Sequence, residues 1–204
     1  MMVLKRFFDL IGSFLGLIIF SLFGLGISLL IKIKMPGPVF FKQKRVGQHG
    51  NLFTMVKFRT MTVNHGGNTI SVKGESRITQ LGETLRKYKL DELPGLWNVL
   101  KGEMSFVGPR PQVEKYTCLY NDEEKIIFSV KPGITDYASI KFINLDQILG
   151  DEFVDEKYFK EIEPIKNNLR VKYAKESSLF IDIKIIFMTC IQLLRIKKLW
   201  NIED

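Results

Sequence analysis

Two cysteines and two histidines in 204 residues leave little room for several common chemistries. Cys118 and Cys190 lie far apart and match neither a CxxC motif nor a zinc-ligand spacing, so they read as reduced packing residues of a domain facing the cytosol. His49 and His65 are the only imidazoles. Without an HExxH pattern they give no basis for a histidine-rich metal site or a Ser-His-Asp triad. The chain also lacks a P-loop, a GxGxxG fingerprint and any nucleic-acid reader motif. No internal repeat or low-complexity linker divides it. What is abundant is apolar surface and positive charge: 46% of residues are hydrophobic, the net charge is +8 and the pI is about 9.4. This length supports one domain with a substantial core. The charge implies an anionic partner, whether nucleic acid, a phospholipid surface or a phosphorylated substrate, and does not choose among them.

From Leu10 to Ile31 no residue is charged. At about 1.5 Å rise per residue, a helix of this length is enough to cross a ~30 Å hydrocarbon core. A cleaved signal peptide is the rival, but the run is long for one and ends in KIKMPGP without a small-x-small cleavage site. Lys5 and Arg6 precede the run, and Lys32, Lys34, Lys42, Lys44 and Arg45 follow it. Basic residues prefer the cytoplasmic side, so a segment that enters and turns back keeps both clusters there. A re-entrant helix is therefore the preferred geometry, with bending points at Ser21, Gly24, Gly26 and Ser28. A single-span anchor is the alternative. The division expected is a membrane-inserted helix over 1–34 and a cytoplasmic-face catalytic domain over 35–204.

After the turn Met35-Pro36-Gly37-Pro38, the runs VFFKQKRV and LFTMVKFRTM flank GQHGN. This pattern predicts a β-hairpin. Its cations, Lys42, Lys44, Arg45, Lys57 and Arg59, form either a solvated face or contacts to anionic headgroups or a phosphorylated ligand. Asn64 to Asn68 reads as a loop. Ile78, Leu81, Leu85 and Tyr88 recur near helical spacing, so a helix leads into Leu90. Lys131-Pro132-Gly133-Ile134-Thr135 reads as a turn whose glycine permits a positive φ, and Leu145 to Lys172 as surface helices. Ser177 and Ser178 are candidate caps of a last helix from Leu179 to Trp200, with Asp182 near its positive end. That helix, basic at Arg195, Lys197 and Lys198, suits either a core or a membrane interface.

The stretch RKYKLDELPGLWNVLKGEMSFVGPRP carries most of the chemistry. Pro94 belongs in a first helical turn, so a helix is predicted to begin at about Asp91 to Leu93, with Asp91 as its N-cap, and to run toward Gly102. Capping by Asp91 and dipole complementation by Glu92 is a complete structural account. Neighbouring helical residues point about 100° apart, so the two carboxylates are not a proton-sharing pair. A carboxylate close to Arg86, Lys87 and Lys89 is expected to stay ionised, which suits a nucleophile or a ligand for Mg²⁺. Arg110, between Pro109 and Pro111, is held as a guanidinium suited to bidentate phosphate recognition. Together these point to phosphoryl-transfer chemistry at a bilayer.

On these residues the chain resembles the bacterial sugar transferases, the monotopic polyprenyl-phosphate phosphoglycosyl transferases, in their small form. The motifs are KRFFD at Lys5 to Asp9, PGPVFFKQKRVG at Pro36 to Gly47, KFRTM at Lys57 to Met61, LDELPGLWNVLKGEMSFVGPRP at Leu90 to Pro111, KPGIT at Lys131 to Thr135, and the tyrosine of RVKYAKESSLFIDIKIIF. The resemblance implies an α+β fold, mainly helical with a small β-hairpin, on a re-entrant membrane helix with interfacial amphipathic helices. It implies transfer of a sugar phosphate from a UDP-sugar to polyprenyl (undecaprenyl) phosphate, with Asp91 as nucleophile, release of UMP and initiation of a surface glycan. Glu92 would assist, Mg²⁺ would sit with Asp91 and the diphosphate, Arg110 would hold phosphate, and Arg86 would orient the dyad or assist with phosphate; Lys57 and Arg59 are further candidate phosphate contacts. The implied site is the cytoplasmic face of the bacterial cell membrane, with lipid as a partner and nucleic acid not; a homo-oligomer is compatible. The family's Ser-Pro break is Ser21-Leu22 here, Gly95 and Lys89 depart from the usual pattern, and Asp136-Tyr137-Ala138-Ser139 replaces a GWAQ-type continuation, which bears on the sugar. A membrane-bound Mg-dependent diphosphate hydrolase is the alternative enzyme. A basic tether for nucleic acid or lipid is the non-catalytic one.

Overall fold

The computed structural model describes residues 2–63, 77–143 and 158–193. It is mainly helical, with a small antiparallel hairpin and one long apolar helix at the N-terminus. That helix, α1 (Met2–Lys34), is a single element with Leu22 inside it. Its outer face leaves Leu15, Ile18, Ile19, Leu22 and Leu25 at least half exposed, whereas Asp9, Ser13, Ile27 and Ile31 are buried against the rest of the chain. The face made by Gly12, Gly16 and Gly24 passes close to Phe106, Leu96 and Phe58 in turn. The same domain therefore touches both halves of the helix. At its C-terminal end, Ile27, Ile31 and Met35 pack with Phe58 and Leu85 in one core cluster.

The hairpin predicted from the β-branched and aromatic runs is present, as β1 (Phe40–Val46) and β2 (Leu52–Phe58), paired antiparallel from Phe40 opposite Phe58 to Val46 opposite Leu52. Its turn contains His49 and Gly50, both at positive φ. In β2 the buried Phe53 and Met55 alternate with exposed Leu52 and Thr54 and join Val99 and Met104 in a second cluster. This is the period-2 pattern of a strand with one face on a core.

Helix α2 (Gln80–Lys87) is shorter than the Arg77–Leu90 stretch and is capped by Thr79, whose side chain accepts from the Gly82 amide at 3.0 Å. Helix α3 (Gly95–Lys101) begins after Pro94, not at Asp91, and Asp91 caps nothing in it. The proline ring pre-sets φ at −61° immediately before the first helical residue, so the start moves downstream of the carboxylates. Gly102, at φ 88°, ends it where a left-handed residue is required.

The segment Lys131 to Thr135 is not a plain turn. Its second half is β4 (Gly133–Thr135), which pairs in parallel with β3 (Ser105–Val107). Gly133 does not have positive φ; it is needed for close approach, because an added Cβ would lie 2.1 Å from the Gly108 amide nitrogen. Short helices α4 (Glu114–Thr117) and α5 (Tyr137–Lys141) flank this pair.

Helix α6 (Glu163–Glu176) departs from the expected surface position: Glu163, Lys166, Asn167 and Arg170 are all buried. For three of them the contact with Arg170 is the reason, its Nη1 lying 2.7 Å from Glu163 Oε1 and 2.6 Å from Asn167 Oδ1, whereas Lys166 lies over the Tyr158 and Phe142 rings with Nζ 3.4 Å from the Tyr158 hydroxyl. Helix α7 (Leu179–Leu193) begins with Ser178, whose hydroxyl accepts from the Ile181 amide at 3.3 Å, as the cap assignment expected. Ile185 and Met188 face the core while Phe180, Ile183 and Phe187 are exposed. Cys118 and Cys190 are free but exposed, so they are not packing residues. The loop at Asn64 to Asn68 and the cations Arg195, Lys197 and Lys198 lie outside the described residues.

Gly108 and Gly133 meet backbone to backbone, and a Cβ on Gly108 would sit 2.2 Å from the Lys131 carbonyl oxygen. Gly108→Ala is therefore expected to lower unfolding stability in detergent by about 3 kcal/mol or more, since neither main chain can move aside. Unfolding curves that superpose on the wild type would contradict this packing account.

Candidate active site

Asp91 and Glu92 sit in a single 3-10 turn, Leu90–Glu92, between α2 and α3. Lys89 enters that turn in the left-handed region at φ 55°, reversing the chain so that the two carboxylates project toward β2. The Glu92 amide closes the turn on the Lys89 carbonyl at 3.3 Å. Asn98, fully buried on α3, fixes the distance to the hairpin: its Nδ2 donates to the Thr54 carbonyl at 2.8 Å and its Oδ1 accepts from the Val56 amide at 3.2 Å. Lys57 follows on the same strand and reaches the turn.

Glu92 is fully engaged. Arg110 Nη2 lies 2.6 Å from Glu92 Oε1 and Nη1 lies 3.1 Å from Oε2, a two-pronged contact, and Lys57 Nζ adds a third at 3.1 Å to Oε1. Burial by itself would raise the Glu92 pKa, but Arg110 and Lys57 outweigh it and hold this carboxyl well below the usual range. The pair works in both directions, since Glu92 raises the Arg110 pKa further.

Asp91 is placed differently. It is buried, and its Oδ1 has no hydrogen-bond partner. Burial first, and the neighbouring Glu92 charge second, push its pKa up, while Lys57, Lys89 and Arg110 pull the other way. This reverses the expectation that nearby lysines and a helix end keep Asp91 readily ionised: α3 starts four residues later, and the cations are committed to Glu92. The two carboxylates thus have separate environments, one saturated and one free.

Arg110 is fixed by its backbone as well as by its prolines. Its amide donates to Asp136 Oδ2 at 3.1 Å, and Asp136 Oδ1 accepts from the Ser139 amide at 2.6 Å, capping α5. Sequence reasoning treated Asp136 only as a departure; its Asp-x-x-Ser spacing was the signal of a cap. Two other cations act on Arg110, one from the hairpin and one from α6. Arg45 on β1 donates to the Pro111 carbonyl at 3.1 Å, and burial and Arg110 lower its pKa to about 10. Lys166 on α6 is lowered to about 8 by burial, then by Arg170, with Arg110 also contributing.

Two predicted residues lie elsewhere. Arg86 Nε donates to the Thr60 hydroxyl at 2.9 Å, and the cations that act most strongly on the dyad are Lys57, Lys89 and Arg110 instead. Arg59 is buried with Nη1 on the Pro36 carbonyl at 3.0 Å and Nη2 on that of Met35. Its guanidinium ties the hairpin to the end of α1, and phosphate has no access to those donors. Among the described residues, no group of three or more His, Cys, Asp or Glu side chains converges to hold a metal. The Asp91 carboxylate, with its buried Oδ1 unpartnered, is the part of the dyad left for a cation, which fits a Mg²⁺ held by one carboxylate together with substrate oxygens.

Chemically, the site sets one buried carboxylate with an unpartnered oxygen beside the cations Lys57, Lys89 and Arg110, with Arg45 and Lys166 farther out around Arg110, an arrangement compatible with an anionic ligand. The family model described as bacterial sugar transferase matches residues 1–196. The chain is similar to an uncharacterized sugar transferase, EpsL, of Bacillus subtilis, 40% identical over 189 residues covering 92% of this chain and 86% of EpsL. It is 38% identical over 201 residues to the galactosyl transferase CpsE of Streptococcus agalactiae, covering 92% of this chain and 41% of that protein. It is also 38% identical over 181 residues to a UDP-glucose:undecaprenyl-phosphate glucose-1-phosphate transferase of Xanthomonas campestris, covering 83% and 34% respectively. The chain thus spans less than half the length of the last two relatives.

Lys57 is lowered to about 8, by burial first and Arg110 second, so its amine is protonated below that pH and neutral above it. Acylation of Lys57, mapped by mass spectrometry across pH, is expected to rise with a midpoint near pH 8, about two pH units below ordinary surface lysines. A midpoint near that of the surface lysines would show that Lys57 is not in this environment.

Proposed function

The chain belongs to the bacterial sugar transferase family, and from that membership we propose that it moves a sugar phosphate from a UDP-sugar to polyprenyl phosphate at the cytoplasmic face of the bacterial cell membrane. The observation that carries the reading is the contrast within the dyad: Glu92 is saturated by Arg110 and Lys57, and Asp91 is buried with a free oxygen.

In this mechanism an Asp91 carboxylate oxygen attacks the β-phosphorus of the donor. An O–P bond forms to Asp91 as the bond from that phosphorus to the bridging oxygen breaks, and UMP leaves with the electron pair. The polyprenyl phosphate oxygen then attacks the same phosphorus, displacing the carboxylate and giving the polyprenyl diphosphate sugar. A raised pKa makes the ionised Asp91 the more basic and hence the stronger nucleophile. Arg110, held by Glu92 and Asp136, presents its charge to the phosphates, and Lys57, Arg45 and Lys166 neutralise the diphosphate. Asp91 would be the residue to hold a Mg²⁺ ion, which would supply further charge neutralisation. Glu92 acts in this scheme as the anchor of Arg110 and Lys57.

The reading places α1 as a re-entrant element. Its support is that residues near both ends, Lys5, Arg6 and Asp9 on one side and Ile27, Ile31 and Met35 on the other, contact the same domain. Both basic flanks then lie on one side, in agreement with the charge rule. The exposed apolar face of α7, with Phe180, Ile183 and Phe187, is assigned to the membrane interface.

With a panel of UDP-sugars, Mg²⁺ and polyprenyl phosphate, the detergent-solubilised protein is expected to release UMP from at least one donor. Asp91→Asn should lose about a thousandfold or more of that turnover. A sugar-phosphoryl adduct on Asp91 is expected in mass spectra when lipid acceptor is withheld. Turnover by Asp91→Asn at the wild-type rate would sink the nucleophile assignment, and free sugar phosphate formed without lipid would indicate a hydrolase. For topology, with exposed Cys118 and Cys190 replaced by serine, single cysteines at the exposed positions Val3 and Lys34 should label from the same side of sealed vesicles. Labelling from opposite sides would rule out re-entry.

A further inference from the structure

The first turns of α1 carry three polar side chains that all reach into the domain. Arg6 Nη1 and Nη2 donate to the Val99 and Leu100 carbonyls, in the last turn of α3, at 2.7 and 2.8 Å. Asp9, 2% exposed, accepts at Oδ1 from the Ser105 hydroxyl and the Phe106 amide, both at 3.0 Å. Lys5 Nζ donates to the Val107 carbonyl at 3.1 Å, to the Tyr173 hydroxyl at 3.3 Å and to Asp182 Oδ2. Charge rules assign Lys5 and Arg6 to orienting the helix in the membrane. Their contacts give them a second task, because α3 follows the dyad and β3 precedes Arg110.

The Val107 carbonyl is where α1, α6 and α7 meet. Besides Lys5, it has the Tyr173 hydroxyl at 3.0 Å, and that hydroxyl lies 2.6 Å from Asp182 Oδ1. Tyr173 and Asp182 are 1% and 2% exposed. A phenol has one proton to donate, which Asp182 and Val107 share, and the Lys5 ammonium supplies the remaining donors. From Val107 to Arg110 the chain has almost no slack. The Gly108 amide is bound to the Thr135 carbonyl at 3.0 Å, the Pro109 carbonyl accepts from the Gly133 amide at 3.1 Å, and proline fixes φ before Arg110. The Val107 carbonyl thus stands at the head of the short, constrained run that ends at Arg110.

We infer that Tyr173, held by Lys5 and Asp182, is a positioning residue for Arg110, so that the seating of the membrane helix sets the geometry of the phosphate-binding arginine. The inference rests on the reading of Arg110 as a phosphate ligand. Tyr173 touches no substrate in this account; it acts through Val107. The contact also makes the first turns of α1 part of the active-site scaffold, coupling correct insertion to a competent site.

The test is Tyr173→Phe, which keeps the ring and removes the hydroxyl, with Lys5→Gln as a second variant at the more exposed end of the network. Tyr173→Phe is expected to lower kcat/KM for the UDP-sugar about tenfold while leaving KM for polyprenyl phosphate unchanged. In an Arg110→Lys background the same substitution is expected to add little, because the two residues act in series. A purely structural role would instead lower the values for both substrates and multiply with Arg110→Lys, and that outcome overturns the inference. A readout independent of turnover is labelling of Arg110 by an arginine-specific dicarbonyl, followed by mass spectrometry, which should speed up about tenfold in Tyr173→Phe and Lys5→Gln. Equal labelling rates in wild type and both variants also overturn it. Absence of UMP release from the wild type with every donor, alongside faster labelling in the variants, sinks the transferase reading and leaves the positioning contact standing.

Discussion

The pairing of Glu92 with Arg110 is the constraint around which the catalytic half of the molecule is arranged. A carboxylate at this depth, taken alone, would be protonated. Two guanidinium donors and the Lys57 ammonium keep it charged. Each partner comes from a different element: Lys57 from the hairpin, Glu92 from the turn before α3, and Arg110 from the loop after β3. Removing one member of such a pair leaves an uncompensated charge, commonly a loss of about 3–5 kcal/mol in fully buried cases and less where, as for Arg110, a third of the side chain meets solvent. The pair is thus better understood as a register mark that fixes three elements relative to one another than as a large net source of stability.

One consequence falls on Asp91. Because Glu92 absorbs the strongest interactions of Arg110 and Lys57, its neighbour is left buried with an unpartnered oxygen and a raised pKa. An orphaned buried polar atom costs on the order of 1–3 kcal/mol when nothing fills the site. Such a cost is sensible at a position that a substrate or cation completes. The surrounding cations have the complementary defect: Arg45, Lys57 and Lys166 are each held with depressed pKa by burial first and then by another cation. An anionic diphosphate relieves that repulsion, so binding energy is available at the place where the proposed chemistry occurs.

Local patterns were legible in the sequence and tertiary ones less so. Alternating aromatic residues announced the hairpin, and Gly102 marked the end of α3, because both signals depend only on local backbone preferences. The Asp-Glu pair and Arg110 stood out for the same reason, since adjacent acids and two flanking prolines are visible in a few residues. The start of α3 was missed because Pro94 fits the position just before a helix as well as its first turn. Lys166 gave no signal, and Arg45 and Asp136, though noticed in the hairpin and after KPGIT, were not tied to Arg110, because that relation lies in distance, which no spacing reveals. Arg59 misled in the opposite sense: a lone arginine near a candidate site reads as a phosphate ligand until its guanidinium is found on the carbonyls of Met35 and Pro36. Likewise the charges of α6 suggest a surface helix, and only tertiary contacts explain their burial: Arg170 with Glu163 and Asn167, and Lys166 with the Tyr158 and Phe142 rings.

The polar stripe of α1 bears on how the two substrates of the proposed reaction meet. A helix made only for lipid would be apolar around its circumference, yet Asp9 and Ser13 are buried within 2% of complete exclusion and Arg6 holds the end of α3. Unsatisfied polar groups are expensive in hydrocarbon, so these residues require that the domain stay against the helix wherever it sits. The outer face of the same helix, with Leu15, Ile18, Ile19 and Leu22 exposed, requires an apolar surrounding. Both demands are met when the domain rests on the bilayer surface with α1 beneath it. Trp97, half exposed on α3 five residues after Glu92, then lies on the segment next to the dyad with the amphipathic ring that suits a headgroup region. In the proposed reaction a carboxylate that serves the nucleotide sugar and the lipid phosphate in turn has no need for the two substrates to be bound together.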